Sequence, residues 1–353
     1  MIGCVQVHAT HGKGGLEMTR HTARRIKTAA AIMMVCVPVA LSYEWIDSRA
    51  LSGIGVVIGI ALAMPLILLE ESGFDRRMRR LSFSAALLGK ALTYLGSLAV
   101  VFMSTSFIIG YLAGQTMDDY RDFILGISFR RQLTAGFVMY LVIVFMRQLD
   151  RLLGPGVLLR YLLGRYHQPR REARIFMFLD LKASTTLAEE LGPEAYYGLL
   201  NEFFRDLATP VLDSSGEIYE YVGDQVVLTW KQDRGVRDAN CIRVFFDFAT
   251  RIEEKRQTYM ERFGVVPEFK AGVHVGEVMT AEIGDLKKAL VFNGDVLNTG
   301  SRIEGQCNQL GKRLLASGDL VERLVLPPEW SVEDMGDIQL RGKSEPLRLV
   351  AFA

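Results

Sequence analysis

The chain has 353 residues, a length that accommodates two domains. Its 41 Lys and Arg residues nearly balance its 40 Asp and Glu residues, so no general polyanion-binding surface is expected and nucleic acid is excluded as a partner. The four cysteines lack paired or metal-type spacing, which argues against a disulfide framework and a zinc site. Hydrophobic residues make up 50% of the chain and concentrate in its first part, which indicates a membrane-associated N-terminal half.

Four apolar stretches in this half are candidate membrane spans. They are Thr28–Trp45, Leu51–Leu69, Ala91–Leu112 and Leu133–Met146. The fourth is shorter than the ~20 residues that a helix needs to cross a bilayer. By length alone it fits a re-entrant or interfacial segment as well as a span.

The basic residues predict how these stretches are oriented. Basic side chains cluster between positions 20 and 27 and again between 76 and 80. Because cytoplasmic loops carry an excess of Lys and Arg, both clusters are expected inside the cell. The outer loops, Glu44–Ala50 and about Ala113–Gln132, are too short to hold an extracellular ligand-binding domain. The membrane part is therefore either a plain anchor or a sensor of signals at the bilayer.

A connector joins the two halves. Arg147–Leu153 is expected to continue the fourth helix, Gly154–Gly156 to break it, and Val157–Leu163 to form a basic amphipathic helix on the inner leaflet. The chain thus divides into a cytoplasmic N-terminal segment (1–27), a membrane domain (28–147), a connector (148–173) and a C-terminal domain (174–353).

The C-terminal domain begins with an apolar run, Arg174–Leu181, that is typical of a strand buried on both faces. Asp180 stands at its end, and a helix opens at Ala183–Thr186. Such a carboxylate can bind a metal ion. The helix N-terminus beside it, which includes Thr185, can bind phosphate through its N–H groups. Further on, Glu217–Tyr221 and Gln225–Trp230 predict a hairpin.

The turn of this hairpin carries a second carboxylate, Asp224, after Gly223. A lone Gly-Asp turn is weak evidence of a site. Two carboxylates at turns beside apolar strands, however, are what a pair of Mg²⁺ ions on a nucleoside triphosphate requires. Asn298 and Arg302 lie one helical turn apart on a predicted helix that begins at Asp295, so they share a face that suits the charge on a transferred phosphoryl group.

Together these motifs resemble the catalytic domain of the class III nucleotidyl cyclases, from about Arg174 to the C-terminus. The resemblance implies an α+β domain with a ferredoxin-like βαββαβ palm. It also implies a homodimer, because the metal-binding acids of one subunit meet the Asn and Arg of the other in this family. Such a domain needs intracellular ATP or GTP, which demands an even number of membrane crossings. We therefore expect an α-helical membrane domain of four transmembrane helices in the inner (plasma) membrane, with both termini cytoplasmic.

The resemblance also implies roles for individual residues. Two divalent cations, Mg²⁺ or Mn²⁺, would be held at Asp180, Leu181 and Asp224. Asn298 would orient the ribose, and Arg302 would stabilise the transition state at the α-phosphate. Lys343, in the late element Leu340–Lys343, resembles the family's lysine that contacts the terminal phosphates. The implied reaction is attack of the ribose 3′-hydroxyl on the α-phosphorus, with pyrophosphate leaving.

Purine selection departs from the family pattern. The two base-reading positions fall at Glu220 and Val291. Adenylyl cyclases of this family place Lys, then Asp or Thr, at these positions, and guanylyl cyclases place Glu and Cys. Glu220 favours GTP and Val291 selects neither base, whereas the prevalence of adenylyl cyclases among membrane-bound bacterial relatives favours ATP. Cyclic AMP is the expected product, with a guanylyl cyclase and a non-catalytic cyclase-like receptor or scaffold as alternatives.

Three further expectations concern the second half. Val236–Phe263 is expected to be one long helix, and Phe269–Val278 a strand, a turn and a second strand. His274 lies in that segment, and no catalytic role is assigned to it.

Overall fold

The computed structural model describes scattered residues between 29 and 67 and the ranges 83–153, 168–285 and 289–353. The chain divides into two compact units, Met1–Leu149 and Asp150–Ala353. In the described ranges, every strand belongs to the second unit.

Three helices follow residue 82: α1 (Phe83–Leu112), α2 (Met117–Leu125) and α3 (Ile127–Leu153). Within α1 and α3, the segments Leu88–Leu112 and Phe129–Met146 are long and apolar enough to cross a membrane. Two such helices alone give weak support for a membrane protein. Many large apolar side chains on both helices are exposed in the isolated chain.

The third and fourth expected spans are shorter than the helices α1 and α3 that contain them. The fourth apolar stretch, expected at Leu133–Met146, belongs to a helix of 27 residues, so its length is no obstacle to spanning. The expected outer loop Ala113–Gln132 contains helix α2, whose N-terminus is closed by a capping box between Thr116 and Asp119.

Other expectations for the N-terminal half fall largely outside the described residues. In the first two expected spans, the residues that are described are helical, and the others lie outside the description. The arginine cluster between 76 and 80 and the expected amphipathic helix Val157–Leu163 also lie outside it.

The C-terminal unit is a mixed eight-stranded sheet with helices packed on it. Its strands are β1 (Arg170–Leu181), β2 (Glu217–Val222), β3 (Gln225–Lys231), β4 (Phe269–Ile283), β5 (Ala289–Asn293), β6 (Leu314–Ser317), β7 (Val332–Ile338) and β8 (Leu347–Phe352). Its helices are α4 (Ser184–Asp213), α5 (Gln232–Val236), α6 (Asn240–Glu254), α7 (Arg256–Phe263), α8 (Asp295–Leu310) and α9 (Gly318–Val321).

The strand order is β2-β3-β1-β4-β6-β8-β7, and β5 pairs with β4. Strand β1 lies antiparallel between β3 and β4. The first four strands, with α4 between β1 and β2 and α5–α7 between β3 and β4, therefore follow the βαββαβ order of the predicted palm. This order places the end of β1 beside the β2–β3 turn.

Helices cover both faces of the central strands. Odd-numbered residues of β1, such as Ile175 and Leu179, are buried in the main core with side chains of α4 and α6. The opposite face packs against α8, because Gly272 and Gly276 of β4 leave room for that helix. A Cβ atom on Gly272 would lie 2.2 Å from the backbone nitrogen of Glu304.

These glycines explain one wrong prediction. Phe269–Val278 was expected to turn at a glycine, but the segment is one continuous strand that runs on to Ile283. The glycines are contact points for α8 and not turns. A second prediction was also wrong, because Val236–Phe263 is not a single helix. The backbone leaves helical geometry at Asp238 and Ala239, which have positive φ, and again at Lys255.

Candidate active site

The two predicted metal ligands lie at neighbouring strand ends. Asp180 pairs with Gln225 across β1 and β3, and Asp224 precedes Gln225 in the hairpin turn. Gly223 makes this tight turn possible because it adopts a left-handed φ of 63°. The local chemistry of the turn and the strand register together bring both carboxylates to one edge of the sheet.

Negative charge is crowded at this edge. The pKa of Asp180 is raised to about 6, because burial and repulsion from Glu304 and Asp224 together outweigh the opposite effect of the Lys270 ammonium group. Asp180 and Asp224 also raise the pKa of Tyr196, although burial of the phenol is the larger cause. A carboxylate held among other carboxylates favours the binding of a cation.

Two members of this site, Lys270 and Glu304, were not predicted. Lys270 is the register partner of Asp180 on β4, and its Nζ lies 3.5 Å from Asp180 Oδ2 and 2.8 Å from Glu304 Oε1. We call the three acids Asp180, Asp224 and Glu304, together with the lysine that pairs with them, Lys270, the carboxylate cluster. The signal for Lys270 in the sequence was its position within the apolar run Phe269–Val273.

Leu181 and Thr185 flank this cluster. The Leu181 side chain is buried in the core, which leaves only main-chain atoms for the predicted role as a metal ligand. Thr185 is exposed on the first turn of α4, after Ala183 in a left-handed conformation. Its position at a helix N-terminus suits an anionic ligand.

The donor set is compatible with Mg²⁺ or Mn²⁺. Within 83–153, 168–285 and 289–353, no group of three or more His, Cys, Asp or Glu side chains is arranged as a complete metal site. Mg²⁺ is commonly held by one or two carboxylates together with substrate phosphates and water. Asp180 and Asp224 provide those two carboxylates.

Asn298, Arg302 and Lys343 form a second set, which we call the phosphate-binding group. Asn298 is exposed on α8, and Arg302 Nη1 donates a 3.4 Å hydrogen bond to the Gly342 carbonyl. Lys343 forms an ion pair with Asp295 at the start of the same helix. This pairing and its hydrogen bond lower the pKa of Asp295. The late turn therefore lies across the first turns of α8.

The phosphate-binding group and the carboxylate cluster lie on different sides of α8. Arg302 and Glu304 are two positions apart, which corresponds to a rotation of about 200° around a helix. Glu304 is buried toward β4, whereas Arg302 points to the Gly342 turn. One chain therefore does not bring the predicted metal ligands and the predicted transition-state arginine together.

Each of the two predicted base-reading residues lies next to an aromatic residue, and these two aromatic side chains are in contact. Glu220 is exposed on β2, and Val291 is half-buried on β5 opposite Ala281. Their neighbours Tyr219 and Phe292 are in contact, with ring centroids 4.9 Å apart and the rings edge to face. This aromatic contact was not predicted.

His274, which was given no catalytic role, lies within the fold. Its Nδ1 is 2.7 Å from Ser317 Oγ, and burial lowers its pKa to about 4. These contacts describe a neutral histidine that links β4 to β6.

Comparisons with known proteins extend over both halves of the chain. Residues 166–350 match the family model described as the adenylate and guanylate cyclase catalytic domain. Adenylate cyclase 2 of Rhizobium meliloti is 33% identical over 328 residues, which cover 91% of this chain and 89% of that protein. Because the family match spans 185 residues, from 166 to 350, this similarity must reach into the N-terminal unit.

Two further matches are more limited. Adenylate cyclase 1 of Rhizobium meliloti is 30% identical over 151 residues, which cover 41% of this chain and 22% of that protein. The structure of a bacterial light-regulated adenylyl cyclase matches with a TM-score of 0.53 and 19% identity, covering 62% of this chain and 64% of that one. The structural match supports the fold.

Proposed function

This chain belongs to the adenylate and guanylate cyclase catalytic domain family, and we propose that it is a membrane-anchored adenylyl cyclase that converts ATP to cyclic AMP and pyrophosphate. The observation that carries the proposal is the similarity to an adenylate cyclase over 91% of the chain. The paired strand ends that carry Asp180 and Asp224 support it, since they supply oxygen ligands of the kind that a Mg²⁺–nucleotide complex uses.

The end of β1, the β2–β3 turn and the start of α4 would hold the metal ions and the phosphates. Two divalent cations, Mg²⁺ or Mn²⁺, would be held by Asp180 and Asp224, with Leu181 contributing main-chain atoms, and would acidify the ribose 3′-hydroxyl and neutralise the triphosphate. Thr185 and the N–H groups at the start of α4 hold phosphate oxygens. No covalent intermediate with the protein is involved.

The phosphate-binding group acts on the other side of the substrate. Asn298 orients the ribose so that its 3′-oxygen faces the α-phosphorus. Arg302 stabilises the negative charge that develops there as pyrophosphate leaves. Lys343 exchanges its partner Asp295 for the terminal phosphates. Positioning and fixed charge account for the rate enhancement.

We infer that the protein acts as a homodimer. The carboxylate cluster and the phosphate-binding group lie on different sides of α8 in one chain, so a complete site needs a second copy. Two chains related by a twofold axis form two equivalent sites, each with metal ligands from one subunit and Asn298 and Arg302 from its partner.

ATP is the proposed substrate, and GTP is the alternative that Glu220 favours. A carboxylate can accept hydrogen bonds from guanine N1 and N2, but also from the adenine amino group. Val291 provides no hydrogen bond to either base. Because strong rejection of the wrong base requires buried polar groups that it leaves unpaired, we expect weak discrimination.

We further propose that the N-terminal unit crosses the lipid bilayer of the inner (plasma) membrane four times, with both termini in the cytoplasm. The apolar segments of α1 and α3 support two of these spans. The cytoplasmic supply of ATP requires an even number of crossings, and the basic residues before the first span favour a cytoplasmic N-terminus.

The proposal is tested on the full-length protein in lipid nanodiscs with Mn²⁺ and either ATP or GTP. We expect cyclic AMP from the unaltered protein and from Asp213→Ala, an exposed carboxylate at the far end of α4, but not from Asp224→Ala. Cyclic GMP as the main product would establish the guanylyl cyclase alternative. No product from either nucleotide would contradict a catalytic function.

A further inference from the structure

Lys270 is a cation shared by one half-buried and one buried carboxylate. Its side chain is 10% exposed, and those of Asp180 and Glu304 are 21% and 9% exposed. The ammonium nitrogen is closer to Glu304, at 2.8 Å, than to Asp180, at 3.5 Å. The two acids lie on different elements, β1 and α8, so the lysine is held between them.

Glu304 is the closer of the two partners of this lysine. Its Oε1 is buried, and the Lys270 ammonium nitrogen lies 2.8 Å from it. A buried carboxylate oxygen without a hydrogen bond is energetically unfavourable. Lys270 can therefore give up its contact with Asp180 and still have a buried carboxylate as its partner, and such charge-assisted contacts are strong.

Asp180 is the carboxylate for which two cations would compete. A divalent ion on Asp180 and the ammonium group of Lys270 carry charges of the same sign, and they repel each other strongly where solvent is partly excluded. If both cations stayed at Asp180, their mutual repulsion would weaken the binding of each. The nearby Glu304 offers the lysine an alternative partner without removing it from the site.

We propose that Lys270 is an exchangeable counter-cation, which neutralises both Asp180 and Glu304 in the metal-free protein and keeps only its contact with Glu304 when a divalent cation binds Asp180. This inference rests on the proposed metal-binding role of Asp180. Lys270 and Glu304 act as positioning residues in this exchange, because they act through Asp180. Together they set how tightly the carboxylates hold the ion.

The exchange predicts effects of opposite sign for two substitutions. Lys270→Met removes the competing cation and is expected to tighten Mn²⁺ binding about tenfold. Glu304→Gln removes the alternative partner, leaves Lys270 on Asp180, and is expected to weaken Mn²⁺ binding about tenfold. The double variant has no competing cation, so it is expected to bind Mn²⁺ more tightly than Glu304→Gln alone.

Mn²⁺ binding is measured by electron paramagnetic resonance on the full-length protein in nanodiscs, without nucleotide, and thermal unfolding of each variant checks its fold. A purely structural role for the cluster would weaken binding in all three variants, because each perturbs the packing around Asp180. Tightening by Lys270→Met, together with the opposite effect of Glu304→Gln, supports the exchange. Weakened, unchanged or undetectable binding in Lys270→Met overturns it.

Asp180→Asn separates this inference from the assignment on which it rests. Loss of Mn²⁺ binding in this variant, without tightening by Lys270→Met, overturns the exchange and leaves the metal ligand in place. Mn²⁺ binding that survives Asp180→Asn overturns both. Cyclic AMP synthesis by the same preparation reports on the proposed function independently of either result.

Discussion

The two sides of helix α8 differ in charge and in exposure. On one side Glu304 is buried against β4 and shares Lys270 with Asp180, so carboxylates dominate. On the other side Arg302 and Asn298 are more exposed, and Lys343 lies near the helix start. The first side suits metal ions, and the second suits phosphate and ribose. This difference is the basis for the proposal that each chain contributes half of each of two sites.

Substitutions in the two halves should abolish activity for different reasons. Arg302→Ala is expected to lower kcat by about 10²–10³-fold with little change in KM for ATP, because its charge is needed mainly in the transition state. Steady-state kinetics of cyclic AMP formation measure this split. Arg237→Ala, an exposed arginine of the short 3-10 helix Arg237–Ala239 before α6, is the matched control and should leave both constants unchanged. A rise in KM of the same size, with kcat unchanged, would show that Arg302 serves only ground-state binding.

The contact between α8 and β4 should be intolerant of a single methyl group. Gly272→Ala places a Cβ atom 2.2 Å from the Glu304 backbone nitrogen, so the helix must move and stability should fall by about 1–3 kcal/mol. Gly305→Ala on α8 is the control, because a Cβ there meets no atom within 4 Å and a helical alanine adds up to about 1 kcal/mol. Thermal unfolding compares the two. Equal midpoints would contradict the close packing of α8.

Substitution of the two proposed base-reading residues, Glu220 and Val291, should change purine choice. Replacing Glu220 with Lys and Val291 with Asp should raise the ATP-to-GTP ratio of kcat/KM about tenfold, because both positions then offer hydrogen bonds that suit adenine. Competition assays with the two nucleotides measure the ratio. An unchanged ratio would show that base selection lies elsewhere in the protein.

His274 provides the smallest predicted effect. Because its folded-state pKa of about 4 lies below the unfolded value of about 6.5, the unfolded chain takes up more protons between these values. Stability is therefore present above pH 6.5 and is lost as the pH falls toward 4, by about 1 kcal/mol between pH 6.5 and 5.5. Tryptophan fluorescence during heating follows this loss. His274→Asn should reduce the pH dependence, and an unchanged profile would contradict a buried neutral histidine.

The sequence predicts the local parts of this architecture. Apolar runs identify β1 and β3, and the Gly223-Asp224 pair identifies the hairpin turn, because these signals depend on residues adjacent in the chain. The four-residue spacing of Asn298 and Arg302 likewise predicts their shared helical face.

Contacts between distant elements could not be predicted in the same way. Gly272 resembles a turn residue in sequence, and only its packing against α8 makes it part of a continuous strand. Lys270 and Glu304 meet through strand register and helix packing, which no local pattern encodes. Lys255 interrupts the expected long helix and pairs with Asp206 of α4, again a contact between elements far apart in sequence.

The sharing of each site between two subunits is the central claim, and complementation tests it most directly. Asp224→Ala and Arg302→Ala chains are co-expressed with different tags, and the heterodimer is isolated by sequential affinity steps. One of its two sites combines both substitutions, while the other contains neither, so we expect about half of the activity of the unaltered dimer. A heterodimer as inactive as the two homodimeric variants would contradict a site built from both chains.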